Sequence, residues 1–213
     1  MLTLDEDQLR YMSISQSKLI RMTDLEKGAY FQTLNESQAA WKIGERKAGG
    51  FINIDLLSDM ANSHGRGEFT TFFHEYGHLV DRYAKSEGKA VFTDNGTFKK
   101  NLYNSLKKEY DKLCTKGVLN ASVKKDLMAS HSSNGVQDII SGLSLNKNRV
   151  YWGHPTKYWR QKGQANGVVV EAMAHFNAAW ANPQSRAYME KYFPESYNYF
   201  KTEAIKYVRG AVK

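Results

Sequence analysis

The stretch Thr71-Phe72-Phe73-His74-Glu75-Tyr76-Gly77-His78-Leu79-Val80-Asp81 decides how this chain is read, because it contains His-Glu-x-x-His. Histidines four apart on a helix lie one above the other on one face, so His74 and His78 can reach a single ion. Zinc accepts such a pair, and Glu75 between them stands where it can take a proton from water. Around this core, Phe69, Phe72, Phe73, Tyr76, Leu79, Val80 and Tyr83 follow helical spacing as one apolar stripe, with His74, His78 and Asp81 on the opposite side. The pattern predicts a helix from Gly67 to Lys85 that packs its stripe on a core and turns its histidines toward a cleft. Gly77 inside that helix costs about 1 kcal/mol and points to close packing or a constraint from the site.

Two histidines leave a catalytic zinc site incomplete, since three protein ligands plus water are usual. Four residues compete for the third position. Glu171 stands in the otherwise apolar Gly167-Val168-Val169-Val170-Glu171-Ala172-Met173-Ala174-His175-Phe176, where a carboxylate is costly unless it is paired or bound to metal. His175, four residues on, shares its face. Asp81 continues the His74/His78 stripe but sits ~10 Å along the axis from His74, which suits a partner of a ligand better than a ligand. His154 lies in the loop Tyr151-Trp152-Gly153-His154-Pro155. Glu171 is the choice made here.

Composition sets the frame. A chain of 213 residues, 41% hydrophobic with three prolines, is long enough for one α+β domain spanning residues 1–213 with its core roughly over 50–180. Thirteen Tyr, ten Phe and four Trp supply much of a core and leave amphipathic rings for a groove. No apolar run is long enough to span a bilayer, so no membrane insertion is expected. The acidic start Met1-Leu2-Thr3-Leu4-Asp5-Glu6-Asp7 lacks the pattern of a signal peptide. The single cysteine, Cys114, cannot form an internal disulfide and reads as a packing residue at the end of a basic helix. The net charge of +8 comes from scattered pairs such as Lys99-Lys100, Lys107-Lys108 and Lys124-Lys125. Those read as solvated helix faces rather than a nucleic-acid surface.

The remaining segments follow from local pattern. Residues 1–27 read as a polar helix, Ala29–Leu34 and Ala39–Ile43 as strands around the turn Asn35-Glu36-Ser37, and Phe51–Asp55 as a half-buried strand. That last strand is a place where a peptide could add as a further strand. After a loop over residues 62–67 and the metal helix, the chain reads as mostly helical. Helices are expected over Phe98–Leu113, Ser122–Met128, Val136–Leu145, Gly167–Ala181, Ser185–Tyr192 and Glu195–Arg209, with a break at Gly153-His154-Pro155. A small, mainly antiparallel sheet early and helices late is the expected architecture.

These residues also carry a resemblance. His-Glu-x-x-His followed about ninety residues later by a helical Glu-Ala-x-Ala resembles the glutamate-zincin (gluzincin) metallopeptidases. The chain more closely resembles zincin-like domains at the C-terminus of phage minor-capsid or head-morphogenesis proteins and related mobile-element proteins. The pieces are Phe73-His74-Glu75-Tyr76-Gly77-His78 with Asp81, then Asp138-Ile139-Ile140-Ser141, Gly153-His154 with Tyr158-Trp159, and Glu171-Ala172. The likeness covers roughly residues 50–180 and departs at His175, where that family is expected to have Asn. It implies a zincin-like fold, a zinc cofactor, a peptide or protein substrate, and a setting in a bacterial host cytoplasm or a phage particle. Zinc chemistry then expects Glu75 as general base and His154 or Tyr158 as stabiliser of the oxyanion. A silent zincin-like binding module and a basic nucleic-acid binder are the competing readings.

Overall fold

A computed structural model describes residues 5–24, 26–83, 92–161 and 163–211. Within them the chain is α+β and mostly helical. Helix α1 (Glu6–Ser13) starts on Asp5, whose carboxylate accepts from Gln8 N at 2.7 Å. Strands β1 (Leu19–Thr23) and β2 (Tyr30–Leu34), helix α2 (Glu36–Ile43), strand β3 (Gly49–Asn53) and the short α3 (Leu56–Met60) lead into α4 (Thr70–Tyr83). The second half holds α5 (Gly96–Lys112), a hairpin of β4 (Cys114–Thr115) and β5 (Val118–Leu119), α6 (Ala121–Met128), α7 (Asn134–Ser144) and α8 (Thr156–Gln161). It closes with α9 (Gln164–Ala181), α10 (Pro183–Tyr192) and α11 (Pro194–Ala211). Among the described residues no helix is long and apolar enough to cross a membrane.

Several local expectations are corrected. The polar helix expected over residues 1–27 ends at Ser13, and Leu19–Thr23 pairs in parallel with β3; residues 1–4 and Leu25 lie outside the described residues. The expected strand Ala39–Ile43 is a helix. Asn35 accepts from Gln38 N while the Gln38 side chain accepts from Asn35 N, and this reciprocal cap outweighs a short apolar run. The early sheet, in the order β1-β3-β2, is mixed: β3 is antiparallel to β2 and parallel to β1. Strand β3 is therefore central and buried throughout. It cannot accept an added peptide strand, because both its edges are paired. The His-Glu-x-x-His helix runs from Thr70 to Tyr83, shorter than Gly67–Lys85, and Ala84 and Lys85 lie outside the described residues. Helix α9 begins three residues before Gly167, where Gln164 donates to the carbonyls of Gly142 and Leu143 at the end of α7. Cys114 opens β4 rather than closing a helix, and it is half-buried.

One apolar cluster runs from Ile52 of β3 through Leu79 and Val80 of α4, Ile139 of α7 and Phe176 of α9 to Phe200 of α11. Trp159 of α8 is fully buried within it, and its indole N–H donates to the His154 carbonyl at 3.1 Å, which fixes the loop before α8. Helices α4 and α9 make the most extensive contact in the molecule. Gly77 lies at their crossing: a Cβ there would come within 2.9 Å of Ala174 Cα and 3.1 Å of Asn177 Cβ. The glycine permits a backbone-to-backbone approach that any side chain would prevent, and the Asn177 amide donates to the Phe73 carbonyl at 2.6 Å across the same seam.

Candidate metal centre

The α4–α9 seam brings three groups together. His74 Nε2 and His78 Nε2 each lie 3.4 Å from Glu171 Oε2. The Glu171 side chain is buried, and Oε2 has no hydrogen-bond partner. Two donors bound ~2.0–2.2 Å from one tetrahedral ion stand ~3.3–3.5 Å apart, so the spacing fits a shared ion. The other oxygen, Oε1, accepts a hydrogen bond from the Tyr158 hydroxyl, which fixes the carboxylate plane.

Electrostatics suit the same reading. Burial, helped by the neighbouring His175, lowers the His74 pKa to about 3, so this imidazole is neutral and offers a lone pair. Burial alone would raise Glu171, but the imidazoles of His78 and His74 outweigh it and hold the carboxyl well below its usual range. Glu75 sits between the histidines in sequence, and its side chain lines the cavities on both sides of the seam. Burial, opposed by His78 and reinforced by the charge of Glu171, raises its pKa to about 7.

The other residues singled out in the sequence fall into two groups. Asp81 is not brought to the three-residue centre: its two oxygens accept from the backbone N–H and the hydroxyl of Thr93, beyond the end of α4. It lines the smaller cavity and serves as a tether. His175 and His154 are both tied to Asp138. The Asp138 carboxylate bonds His175 Nε2 at 3.1 Å and His154 Nδ1 at 2.9 Å, and it accepts from His154 N at 2.7 Å. His175 Nδ1 lies 3.1 Å from His74 Nδ1, so the chain of contacts runs Asp138–His175–His74. The His154 ring stacks on Tyr158 with centroids 4.1 Å apart. Burial lowers the His154 pKa, but the bond to Asp138 more than reverses this and leaves it raised. The close approach depends on Gly153, at φ +146°, where a Cβ would come within 2.4 Å of Ser141 Oγ and 3.3 Å of Asp138 Oδ1.

Asp138 has no role in the sequence reading beyond its place in the resemblance. The signal was nonetheless present, since a lone carboxylate in Val136-Gln137-Asp138-Ile139-Ile140 is as costly in an apolar helix as Glu171 in its own. Helix α8, which carries Tyr158, was also missed; its six residues are too few to show a period. Compared with protein-family models, curated proteins and solved structures, the chain matches none.

Proposed function

We propose that this chain is a zinc-dependent peptide-bond hydrolase of the zincin-like, gluzincin type, with His74, His78 and Glu171 as ligands and Glu75 as general base. The observation that carries this reading is Glu171 Oε2: buried, without a hydrogen-bond partner, and 3.4 Å from Nε2 of both histidines. Leaving a buried acceptor bare costs ~1–3 kcal/mol, and more when it is charged. A divalent cation removes that cost. Zinc here supplies a Lewis acid that brings the pKa of water down to ~7 and polarises a carbonyl.

The chain's own groups do the rest. Glu75 takes the proton of the attacking water and delivers it to the leaving amine. Tyr158 holds Glu171 through Oε1, so that Oε2 stays turned to the histidines. His154 gives Nδ1–H to Asp138, and the imidazolium favoured by that carboxylate has Nε2–H left for a developing oxyanion. His74, with Nε2 directed at the centre, carries its proton on Nδ1 and donates it to His175 Nδ1. His175 in turn donates Nε2–H to Asp138, which fixes the tautomer of both rings. The order of the motif pieces supports placing the chain with the zincin-like domains of phage minor-capsid and head-morphogenesis proteins. Its setting in a host cytoplasm or phage particle belongs to the same proposal.

Elemental analysis and a broad peptide-library digest test it together. Wild type is expected to hold one zinc per chain and to cleave, with chelation abolishing cleavage and zinc restoring it. Glu171→Ala loses the metal. Glu75→Gln keeps the metal and loses ~10²–10⁴-fold in rate. Undiminished zinc in Glu171→Ala removes that ligand, and equal cleavage by Glu75→Gln and wild type sinks the mechanism.

A further inference from the structure

The larger of the two cavities beside the centre, about 860 Å³, shares His74, Glu75 and His154 with the smaller one, whereas Glu171 lines only the smaller of the two. Its lining mixes apolar surface with Ser, Thr, Asn and His side chains. Among the described residues that line it, Glu75 is the one carboxylate and Arg66 the one side chain of fixed positive charge.

Arg66 is unusual in its partners. One guanidinium nitrogen, Nη2, donates to Thr71 Oγ1 at 2.6 Å, and the guanidinium lies 5.7 Å from the Trp152 ring centroid. Among the described residues no carboxylate comes within ion-pair distance of it. The nearby acids are spent elsewhere. Asp59 uses both oxygens on the amides of Thr71 and Phe72 at the start of α4, and Glu75 is the candidate general base beside the histidines. The loop that presents Arg66 is fixed, because its carbonyl accepts from Thr70 Oγ1 and Ser185 Oγ. A guanidinium has five N–H donors in a rigid fork that matches a carboxylate, and most of them remain unused here. Asn134 supplies an independent sign of a missing ligand. It lines the same cavity, and its buried Oδ1 has no hydrogen-bond partner, an acceptor suited to a peptide N–H.

We propose that this cavity is a subsite for a carboxylate of the peptide substrate, with Arg66 as the residue that determines specificity. This rests on the peptidase reading above and names its substrate class: acidic peptides that place a carboxylate on the Arg66 side of the scissile bond. Two sources share the chemistry, an Asp or Glu side chain and the free α-carboxylate of a chain end. The chain's net charge of +8 favours the approach of either.

Binding, rather than cleavage, is the decisive readout, so an inactive enzyme does not obscure the result. Zinc-loaded Glu75→Gln protein is titrated with three blocked pentapeptides: one with a central Glu and an amidated end, one with a central Gln and an amidated end, and one with a central Gln and a free C-terminal acid. At least one acidic peptide is expected to bind about tenfold or more tighter than the neutral one, as a charged hydrogen-bonded pair provides. Which acidic peptide wins identifies the source of the carboxylate. Adding Arg66→Gln should abolish the advantage, Arg66→Lys should reduce it without changing its sign, and Arg66→Glu should transfer it to a central Lys. Circular dichroism and zinc content check that each variant folds, and Arg66→Lys serves if the neutral variant does not. Equal affinity for acidic and neutral peptides, including no binding by any, overturns the proposal, as does an advantage that survives Arg66→Gln. Loss of zinc cleavage with the acidic preference intact would refute the peptidase reading and leave the subsite standing.

Discussion

Replacing Gly77 by alanine sets two opposed effects against each other. Alanine is favoured over glycine in a helix interior by ~1 kcal/mol, so an unconstrained helix would gain stability. The added methyl, however, would lie 2.9 Å from Ala174 Cα, which is backbone of the facing helix and cannot rotate away. Restoring ordinary contact needs α4 and α9 to part by about 0.5 Å at that point. Overpacking of this kind costs ~1–3 kcal/mol, so the net expectation is a loss of ~0–2 kcal/mol, toward the upper end because the clash is with backbone. For a chain of this length that lowers Tm by up to ~8 °C. The same parting moves Glu171 away from His74 and His78, while metal sites tolerate ligand displacements of only ~0.2 Å. Zinc affinity should therefore fall about tenfold or more. Differential scanning calorimetry with chelator present gives the first quantity, and competition against a fluorescent zinc chelator gives the second. Gly96→Ala at the start of α5 is the control, since nothing lies within 4 Å of its new Cβ; it should leave zinc affinity unchanged and stability unchanged or raised by up to ~1 kcal/mol. A Gly77→Ala protein as stable as wild type with undiminished zinc affinity would refute the account of the seam.

Two further perturbations address the supporting groups. Asp138→Asn leaves one oxygen acceptor where the carboxylate serves both His154 and His175; zinc affinity or activity is expected to fall ~10–100-fold, and unchanged values for both would show that the Asp138–His175–His74 chain does not orient the ligand. Asp81 is buried, and burial raises its pKa, so its favourable contribution is present below the unfolded value of ~3.9 and is lost as pH rises through the folded one. With zinc removed from both proteins, Asp81→Asn should match wild type in urea midpoint near pH 4 and exceed it near pH 8, since the amide still accepts from Thr93 N and can donate to its hydroxyl. A midpoint difference that is the same at both pH values would contradict the assignment.

The helix that carries His74 and His78 was legible in the sequence because its information is local. A period of 3.6 places His74 and His78 on one face whatever surrounds them, and the apolar stripe from Phe72 to Val80 states which side is buried. Glu171 could be picked out by cost alone, as a carboxylate among valines and alanines whose burial demands a partner. The same reasoning failed where a short segment obeyed a stronger neighbour. Residues 39–43 follow the cap at Asn35 into a helix, and Leu19–Thr23 takes its extended form by pairing with β3, thirty residues away. Tertiary structure alone decided which residues meet. Gly77 lets α4 and α9 close until Glu171 Oε2 stands 3.4 Å from two imidazoles. Gly153 lets His154 reach Asp138, and Asp138 joins His154 and His175 through one carboxylate. Sequence spacing fixes direction along one element, whereas a shared site depends on distances between elements, and those are set by how closely their backbones can pack.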